Sequence, residues 1–199
     1  TARTNNFVIV TADQKIIEGC IKGKRRDQNR LYTKYAPALL GVCMRYSRNK
    51  DEAEDILQEG FIKIFMNIKS YRGEGSFEGW MKRIMVNTAI THNKQTLKHQ
   101  YHTDIDEIEE THEISAGGSD EPAGAKLPKE KLMTIIQNLP EGYKMVFNLY
   151  VFEQYTHKEI AQILGISENT SKSQLSKARR LLTSRIKKIT GNEKITITE

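Results

Sequence analysis

The C-terminal third of the sequence contains side chains suited to contact with a nucleic acid. Six short polar or cationic residues recur there at intervals that place them on one side of a helix. They are Asn169, Thr170, Ser173, Ser176, Lys177 and Arg180. In the major groove of DNA, Lys and Arg reach guanine edges or phosphates, and Asn reads adenine. Because an ordinary solvated helix carries the same pattern, this face alone leaves DNA binding and solvation equally open.

A second candidate region lies between Tyr71 and Lys94, where aromatic and cationic residues are mixed. They are Tyr71, Arg72, Phe77, Trp80, Lys82, Arg83, His92 and Lys94. Aromatic rings stack on unpaired bases while cations follow the backbone, so this mixture is typical of a surface that holds single-stranded DNA. The alternative is that Phe77 and Trp80 are core residues, and for Trp80 we favour the core. Ser76, Asn87 and the flanking cations are then the DNA contacts.

A third candidate is an acidic surface on the helix that precedes this region. Its polar residues are Glu54, Asp55, Gln58 and Glu59, which helical spacing brings onto neighbouring positions. Carboxylates repel phosphate, so in a basic domain this surface favours docking on a basic protein partner. The alternative is a solvated helix start, in which the carboxylates only complement the helix dipole.

The sequence contains no motif that is typical of a catalytic or metal-binding site. The five histidines do not pair at ligand spacing with carboxylates, and neither a nucleophile elbow nor a phosphate-binding loop occurs. Cys20 and Cys43 lack the spacing of a zinc site or a disulfide framework, and we expect both to be reduced thiols. We therefore predict no catalytic residue, no metal and no cofactor.

Helical periodicity organises the first part of the chain, from Ile16 to about Gln95. One apolar stripe comprises Leu31, Tyr35, Leu39 and Val42, and a second comprises Ile56, Phe61, Ile64, Phe65 and Ile68. Asp51 is the expected N-cap of the second helix. Gly60 lies inside that helix, where a glycine costs about 1 kcal/mol of helix propensity. Glycines between Tyr71 and Gly79 break the pattern, and a third helix is predicted from about Phe77 to Lys94.

The second part of the chain reads as a compact unit of four helices. Thr156 and Glu159 form a capping box, Gly165 ends that helix, and Ser167 caps a long last helix that runs to about Lys188. A small Ala161 and a glycine in the turn are typical of a helix-turn-helix. The predicted fold class is thus all-α, with two small helical domains joined by a flexible acidic linker.

Charge follows the same division of the chain. Residues 24–98 hold 15 Lys and Arg against 8 Asp and Glu, residues 99–130 hold 2 against 9, and residues 131–199 hold 11 against 6. We predict domains at 16–98 and 128–190, a linker at 99–127, a flexible lead at 1–15 and a tail at 191–199. No apolar run approaches the about 18 residues of a membrane span, so we expect a cytoplasmic protein.

The order of three motifs resembles that of an extracytoplasmic-function (ECF) RNA polymerase sigma factor of the sigma-70 family. Asp51–Glu59 followed by Phe61–Phe65 resembles the conserved-region-two helix. Phe77–Trp80, with Ile84 and Asn87, resembles the stretch that melts and reads the minus-10 element. Leu139-Pro140, Tyr155–Ala161 and the turn Gly165-Ile-Ser resemble region four, which reads the minus-35 element. The resemblance spans roughly residues 16–188.

The resemblance implies three sets of site residues. Core RNA polymerase would be bound by Glu54, Asp55, Gln58, Glu59 and Lys63. Minus-10 DNA would be bound by Arg72, Ser76, Phe77, Lys82, Arg83, Asn87 and Lys94. Minus-35 DNA would be bound by Thr156, Asn169, Thr170, Lys172, Ser173, Gln174, Ser176, Lys177 and Arg180. Where this sequence has Ser171, the family typically has an apolar residue.

The partners that the resemblance implies are core RNA polymerase, promoter DNA and an anti-sigma factor. Polymerase contacts would involve the clamp helices of the largest subunit and the flap region, and the DNA would be both double-stranded and single-stranded. The acidic linker would thread a basic, RNA-exit-like channel. A stand-alone helix-turn-helix regulator is the alternative function. The sequence also leaves open whether the two domains are splayed or packed together in an autoinhibited form.

Overall fold

A computed structural model of the chain describes residues 12–102 and 128–191. These residues form eight α-helices and the 3-10 helix Ile68–Ser70, and they contain no strand. The helices are α1 Ala12–Ile21, α2 Arg25–Tyr46, α3 Lys50–Asn67, α4 Phe77–His102, α5 Lys129–Gln137, α6 Glu141–Val151, α7 His157–Leu164 and α8 Glu168–Thr190. The all-α prediction is confirmed. Most of the predicted linker, from 103 to 127, lies outside the described residues, as do the segments 1–11 and 192–199.

Helices α1 to α4 form the first unit, in which α2, α3 and α4 pack pairwise and α1 packs on α2. Both predicted apolar stripes face its interior. Leu31, Leu39, Ile56 and Ile64 are fully buried, and Phe65 lies half-buried at the edge. The interior-facing stripes hold α3 and α4 in place, and these helices carry two of the three candidate surfaces.

The helix boundaries differ from the predicted ones at three points. Helix α1 begins at Ala12, so residues 12–15 belong to the fold rather than to a lead. The N-cap of α3 is Asn49, whose side chain accepts from the Glu52 amide at 2.9 Å, whereas Asp51 lies in the first turn. Asn49 has the extended backbone that an N-cap requires. Because Asn and Asp are both common N-cap residues, the sequence could not show which of the two positions has that backbone. Helix α4 continues past Lys94 to His102.

The glycine inside α3 has a packing role. A Cβ at Gly60 would overlap the Met85 sulfur and lie 2.8 Å from its terminal methyl. Met85 is fully buried on α4. Gly60 therefore allows α3 and α4 to approach closely, which accounts for a residue that is unfavourable for helix propensity.

Helices α5 to α8 form the second unit, as predicted, with α5, α6 and α7 packed on α8. The Thr156 hydroxyl accepts from the Glu159 amide at 3.3 Å, and the Glu159 carboxylate accepts from the Thr156 amide at 2.8 Å. Gly165 ends α7 with φ 71° and ψ 34°, a left-handed conformation that favours glycine. The Ser167 side chain then accepts from the Thr170 amide at 2.9 Å. The predicted capping box, turn and cap are all confirmed.

The two units are packed together rather than splayed. Helix α6 lies against α4 and α2, and α5 lies against α2. Buried residues of both units form one continuous apolar cluster. Of the helices described here, none is long and apolar enough to cross a membrane.

Candidate functional site

The outer side of α8 presents the predicted polar and cationic face to solvent. Its inner side is fixed by Ser171, Leu175, Ala178 and Leu182, all buried as predicted. Outside lie Asn169, Lys172, Ser173, Ser176 and Arg180, all exposed, with Thr170 and Lys177 half-buried. Lys172 forms an ion pair with Glu168 at 2.8 Å. Short polar groups and cations thus share one accessible helix side, which matches the dimensions of a DNA major groove.

One residue that the resemblance placed among the minus-35 contacts does not lie on this face. Gln174 is only 4% exposed and points into the domain, so its inclusion among the DNA contacts was wrong. Helical geometry explains the difference, because Gln174 precedes the buried Leu175 and falls three residues after the buried Ser171. Thr156 is exposed at the start of α7, although its hydroxyl is engaged in the capping box.

A polar contact that the sequence did not reveal joins the two helices of the helix-turn-helix. His157 Nδ1 lies 2.9 Å from the Ser171 hydroxyl, and the His157 ring stacks on Tyr150 with centroids 4.8 Å apart. Desolvation by burial, together with the charges of Lys172 and Arg179, lowers the pKa of His157 below 6.5. This contact gives the buried hydroxyl at position 171 a polar partner.

The loop before α4 is built around a cluster of three aromatic rings. Phe77 and Trp80 are stacked at 5.6 Å and 15°, and Tyr71 contacts Phe77 at 4.9 Å and Trp80 at 5.6 Å. Phe77 is only 8% exposed, so the prediction that it contacts DNA was wrong, and it is a core residue. Trp80 is half-buried against the core, as favoured from the sequence. The rings shape the loop rather than project from it.

Polar and cationic side chains surround this aromatic cluster. Arg72, Ser76, Arg83 and Asn87 are exposed, and Lys82 is half-buried and paired with Glu78 at 2.7 Å. The side chain of Lys94 lies outside the described residues. A cavity of about 520 Å³ opens beside the loop, lined on one side by Tyr71, Arg72, Gly73 and Phe77 and on the other by Asp13, Gln14, Ile17 and Glu18 of α1, two of which are carboxylates. The region thus joins a cationic surface to a cavity with an aromatic wall.

The acidic surface of α3 includes two apolar residues that sequence reasoning missed. Asp55 and Gln58 are exposed, and Glu54, Glu59 and Lys63 are half-buried. Between them lie Ile62 and Met66, which are 60% and 77% exposed. They are four residues apart and fall outside the buried stripe. That spacing in the sequence could have predicted a second, exposed apolar patch on α3. Exposed apolar residues bordered by carboxylates form a surface suited to a protein rather than to a phosphate backbone.

Two carboxylates of α3 form ion pairs with lysines of the same helix. Lys63 pairs with Glu59 at 2.7 Å and Lys50 pairs with Glu54 at 3.4 Å, each four residues apart on the helix. These exposed pairs contribute little stability. Asp55 forms no ion pair among those of the described residues, and Gln58 is an uncharged amide; both are exposed, which makes them the accessible polar groups of this surface. Across the described part of the chain, no group of three or more His, Cys, Asp or Glu side chains forms a metal-binding cluster.

Comparison with known proteins places both units in one family. The family model described as Sigma-70 region 2 matches residues 31–96, and that described as Sigma-70, region 4 matches residues 129–182. The ECF RNA polymerase sigma-E factor of Haemophilus influenzae is 31% identical over 181 residues, which cover 87% of this chain and 95% of the relative. The RNA polymerase sigma-H factor of Pseudomonas aeruginosa is 30% identical over 178 residues, with 85% and 91% coverage.

Among solved structures, the chain is similar to a sigma factor from Bartonella quintana that was crystallised with an anti-sigma factor. The two share 18% sequence identity at a TM-score of 0.46, over 81% of this chain and 98% of the other.

Proposed function

Because the chain belongs to the sigma-70 family of RNA polymerase sigma factors and to its ECF group, we propose that it divides promoter-specific initiation among three separate surfaces. The α3 surface docks on core RNA polymerase, the loop and α4 hold the melted minus-10 element, and α8 reads the minus-35 element. No step of this function requires a catalytic residue in the chain. Its place of action is the cytoplasm, where polymerase and the chromosome meet.

The observation that carries this proposal is the α3 surface. A protein that only binds DNA gains nothing from an exposed Ile62 and Met66 bordered by Asp55 and Glu59. On a protein partner, the same residues supply an apolar centre with an acidic rim, which is the composition of a specific interface. The carboxylates would steer the surface to a basic patch, such as one on the clamp helices of the largest polymerase subunit.

At the minus-10 element, melting would follow from capture of an unpaired base. The cavity of about 520 Å³ beside the loop has Tyr71 and Phe77 in its wall and Arg72 at its edge. A base that enters such a cavity would contact the half-buried Tyr71 ring, with Phe77 supporting that ring from the core, and so would offset the stacking that it loses in the duplex. Exposed Arg83 and Asn87 would hold the adjacent strand by its phosphates and base edges.

At the minus-35 element, α8 would lie in the major groove with Arg180 and Lys177 on phosphates or guanine and Asn169 near an adenine. The flap region of polymerase and an anti-sigma factor are the remaining partners that we propose for the second unit. A stand-alone regulator is not favoured, because both family regions occur in order and the α3 surface would be left without a partner.

Run-off transcription with core polymerase on promoter fragments from the source organism tests the proposal. We expect initiation that depends on the protein and that is lost when Asp55→Ala and Gln58→Ala are combined. Glu130→Ala, an exposed acidic residue on α5, serves as the matched control and should retain activity. Tight binding of the protein alone to duplex DNA, without any polymerase-dependent initiation, would instead support the stand-alone regulator.

A further inference from the structure

The first residue of α7 is hydrogen-bonded to the inner side of α8. His157 Nδ1 and the Ser171 hydroxyl lie 2.9 Å apart, although the two residues are 14 positions apart in the chain. Ser171 is fully buried, where a hydroxyl without a partner is unfavourable. The bond therefore joins the two helices of the helix-turn-helix at one defined point.

A second contact fixes the orientation of the His157 ring. The half-buried imidazole stacks on the Tyr150 ring of α6, with the centroids 4.8 Å apart and an angle of 25° between the planes. The Arg179 guanidinium of α8 lies 5.6 Å from the centroid of the same Tyr150 ring. Because α6 holds the ring in this way, the direction in which Nδ1 faces Ser171 does not depend on α7 alone.

Ser171 is the first buried residue along α8. Glu168 and Asn169 before it are exposed, and Thr170 is half-buried. The next buried positions, Gln174 and Leu175, lie about one turn further along the helix. The contact at Ser171 therefore has the most direct effect on where the N-terminal end of α8 lies.

The same end of α8 carries side chains that could read bases. Asn169, Lys172 and Ser173 are exposed, and each is within two residues of Ser171. In a helix-turn-helix, the N-terminal residues of the second helix contact the base edges. Hydrogen bonds to those edges require donor and acceptor to be about 2.7 to 3.2 Å apart, so a small rotation of α8 about its axis would misplace all three side chains.

A hydrogen bond restrains such a rotation more tightly than an apolar contact does. Apolar attraction has no preferred direction, so an apolar side chain at position 171 could slide along α7 with little loss. A hydrogen bond weakens steeply once its angle or its length departs from the favoured values. The bond between His157 and Ser171 thus favours one placement of α8 over neighbouring ones.

We propose that His157 is a positioning residue for minus-35 recognition, which sets the placement of α8 through Ser171 and so determines which base edges the helix reaches. This inference rests on the proposed function, in which α8 reads the minus-35 element. His157 does not itself need to touch DNA in this role. It acts on Asn169, Lys172 and Ser173 through the helix that carries them.

Base preference in the minus-35 element provides the test. The full chain is combined with core polymerase and a pool of promoter duplexes randomised in this element, and the bound duplexes are sequenced. His157→Phe keeps a ring for the stack on Tyr150 but has no ring nitrogen. We expect it to reduce the preference at one or more positions by at least about fivefold, the lower end of what one good base contact contributes.

The matched control is Thr134→Ala in α5 of the same unit. Its hydroxyl donates to the Glu130 carbonyl at 3.0 Å, so this variant also loses one side-chain hydrogen bond, but one that lies within a single helix. It should keep every base preference. Selection is carried out below the temperature at which thermal unfolding of each variant begins, so a loss of stability alone does not change the preferences.

Ser171→Ala removes the same bond from the other helix and should weaken the same positions. The combined variant, His157→Phe with Ser171→Ala, should lose no more preference than either single variant, because all three lack the same bond. If His157→Phe does not fold, Ser171→Ala carries the same expectation with a smaller change of side chain.

Two outcomes would overturn the positioning role. One is a folded His157→Phe or Ser171→Ala variant that selects the same element with unchanged preferences. The other is a combined variant in which the two losses add, since the residues would then act separately. Failure of the proposed function gives a different result, because the unchanged protein with core polymerase would then select no minus-35 element at all.

Discussion

Gly60 lies inside a helix although glycine has a low helix propensity, because helix packing at this position requires a residue without a side chain. Replacement by Ala improves helix propensity by about 1 kcal/mol, yet the new Cβ would overlap the Met85 side chain. Met85 is fully buried, so its thioether cannot move without displacing other core atoms.

We therefore expect Gly60→Ala to destabilise the protein by about 1 to 3 kcal/mol, the usual range for overpacking a core. Gly41→Ala is the matched control, since a Cβ at Gly41 in α2 would meet nothing within 4 Å. That variant should be neutral or stabilising by about 0.5 to 1 kcal/mol. Urea unfolding of both variants provides the measurement, and equal effects at the two glycines would contradict the close-packing role.

A second prediction at the residue scale concerns Glu52. Burial tends to raise the pKa of its carboxyl, but hydrogen bonds from the Arg48 side chain and amide outweigh this and lower it below 4.5. A carboxyl whose pKa is lower in the folded state stabilises the protein above pH 4.5, and that stabilisation is lost as the pH falls through the folded-state pKa.

We expect Glu52→Gln to be less stable than the unchanged protein at pH 7 and to lose less stability on acidification below about pH 4.5. Unfolding free energies measured from pH 7 to pH 3 would show the two curves converging. Asp51→Asn, an exposed neighbour, is the control. Parallel curves for Glu52→Gln and the unchanged protein would exclude Glu52 as a contributor to acid sensitivity.

At the scale of helices, the turn between α7 and α8 orients the DNA-reading face. Gly165 has φ 71°, and a Cβ there would meet nothing within 4 Å. The cost of a side chain is therefore conformational rather than steric. Left-handed backbone costs an ordinary residue about 1 to 2 kcal/mol, and Asn tolerates it better.

We expect Gly165→Ala to lower the unfolding free energy by about 1 to 2 kcal/mol and Gly165→Asn to lower it by less. Thermal unfolding, together with binding of a minus-35 duplex, would test this order. If Asn were as harmful as Ala, the side chain rather than the backbone would be the cause.

Arg180 carries a further prediction at this scale. It is exposed on the outer side of α8, whereas Gln174 on the same helix is buried. If Arg180 contacts a phosphate, Arg180→Ala should weaken duplex binding and reduce the slope of log affinity against log salt by about 1. Ser176→Ala removes a polar group but no charge from the same face, so it should leave the salt slope unchanged whatever it does to affinity. A salt slope unchanged by Arg180→Ala would remove Arg180 from the phosphate contacts.

The helices were predictable to the extent that local signals define them. The capping box at Thr156, the turn at Gly165 and the buried stripe of α8 follow from spacing of a few residues. By contrast, the choice of Asn49 over Asp51 as N-cap depends on backbone angles, because either residue type caps well. Burial of Gln174 and of Phe77 depends on which neighbouring helix covers them. Such information lies in tertiary packing rather than in local sequence.

At the scale of the whole molecule, the packing of the two units was the feature that the sequence left undecided. The contacts of Gln137, Lys144 and Asn148 with the end of α2 join residues about a hundred positions apart. Periodicity and composition describe only near neighbours along the chain. A polar helix end such as Met44–Ser47 looks the same whether water or another domain satisfies its carbonyls.

The division of surfaces between the units predicts that polymerase binding and DNA binding can be lost separately. Ile62→Ser combined with Met66→Ser removes the exposed apolar centre of the α3 surface without changing its charge. The minority of residues at the centre of an interface that dominate its energy cost more than about 1 kcal/mol each when truncated, so with Ile62 and Met66 at that centre affinity for core polymerase should fall by about tenfold or more. Affinity of α8 for a minus-35 duplex should not change.

Ile21→Ser is the control, since Ile21 is an exposed apolar residue of the first unit that lies on α1, outside the α3 surface. It should leave core-polymerase affinity at the unchanged level. Fluorescence anisotropy with labelled core polymerase and with labelled duplex measures both affinities on the same variants. Loss of both activities in the α3 variant would mean that the surfaces are coupled, whereas loss in the control alone would move the polymerase contact of the first unit from α3 to α1.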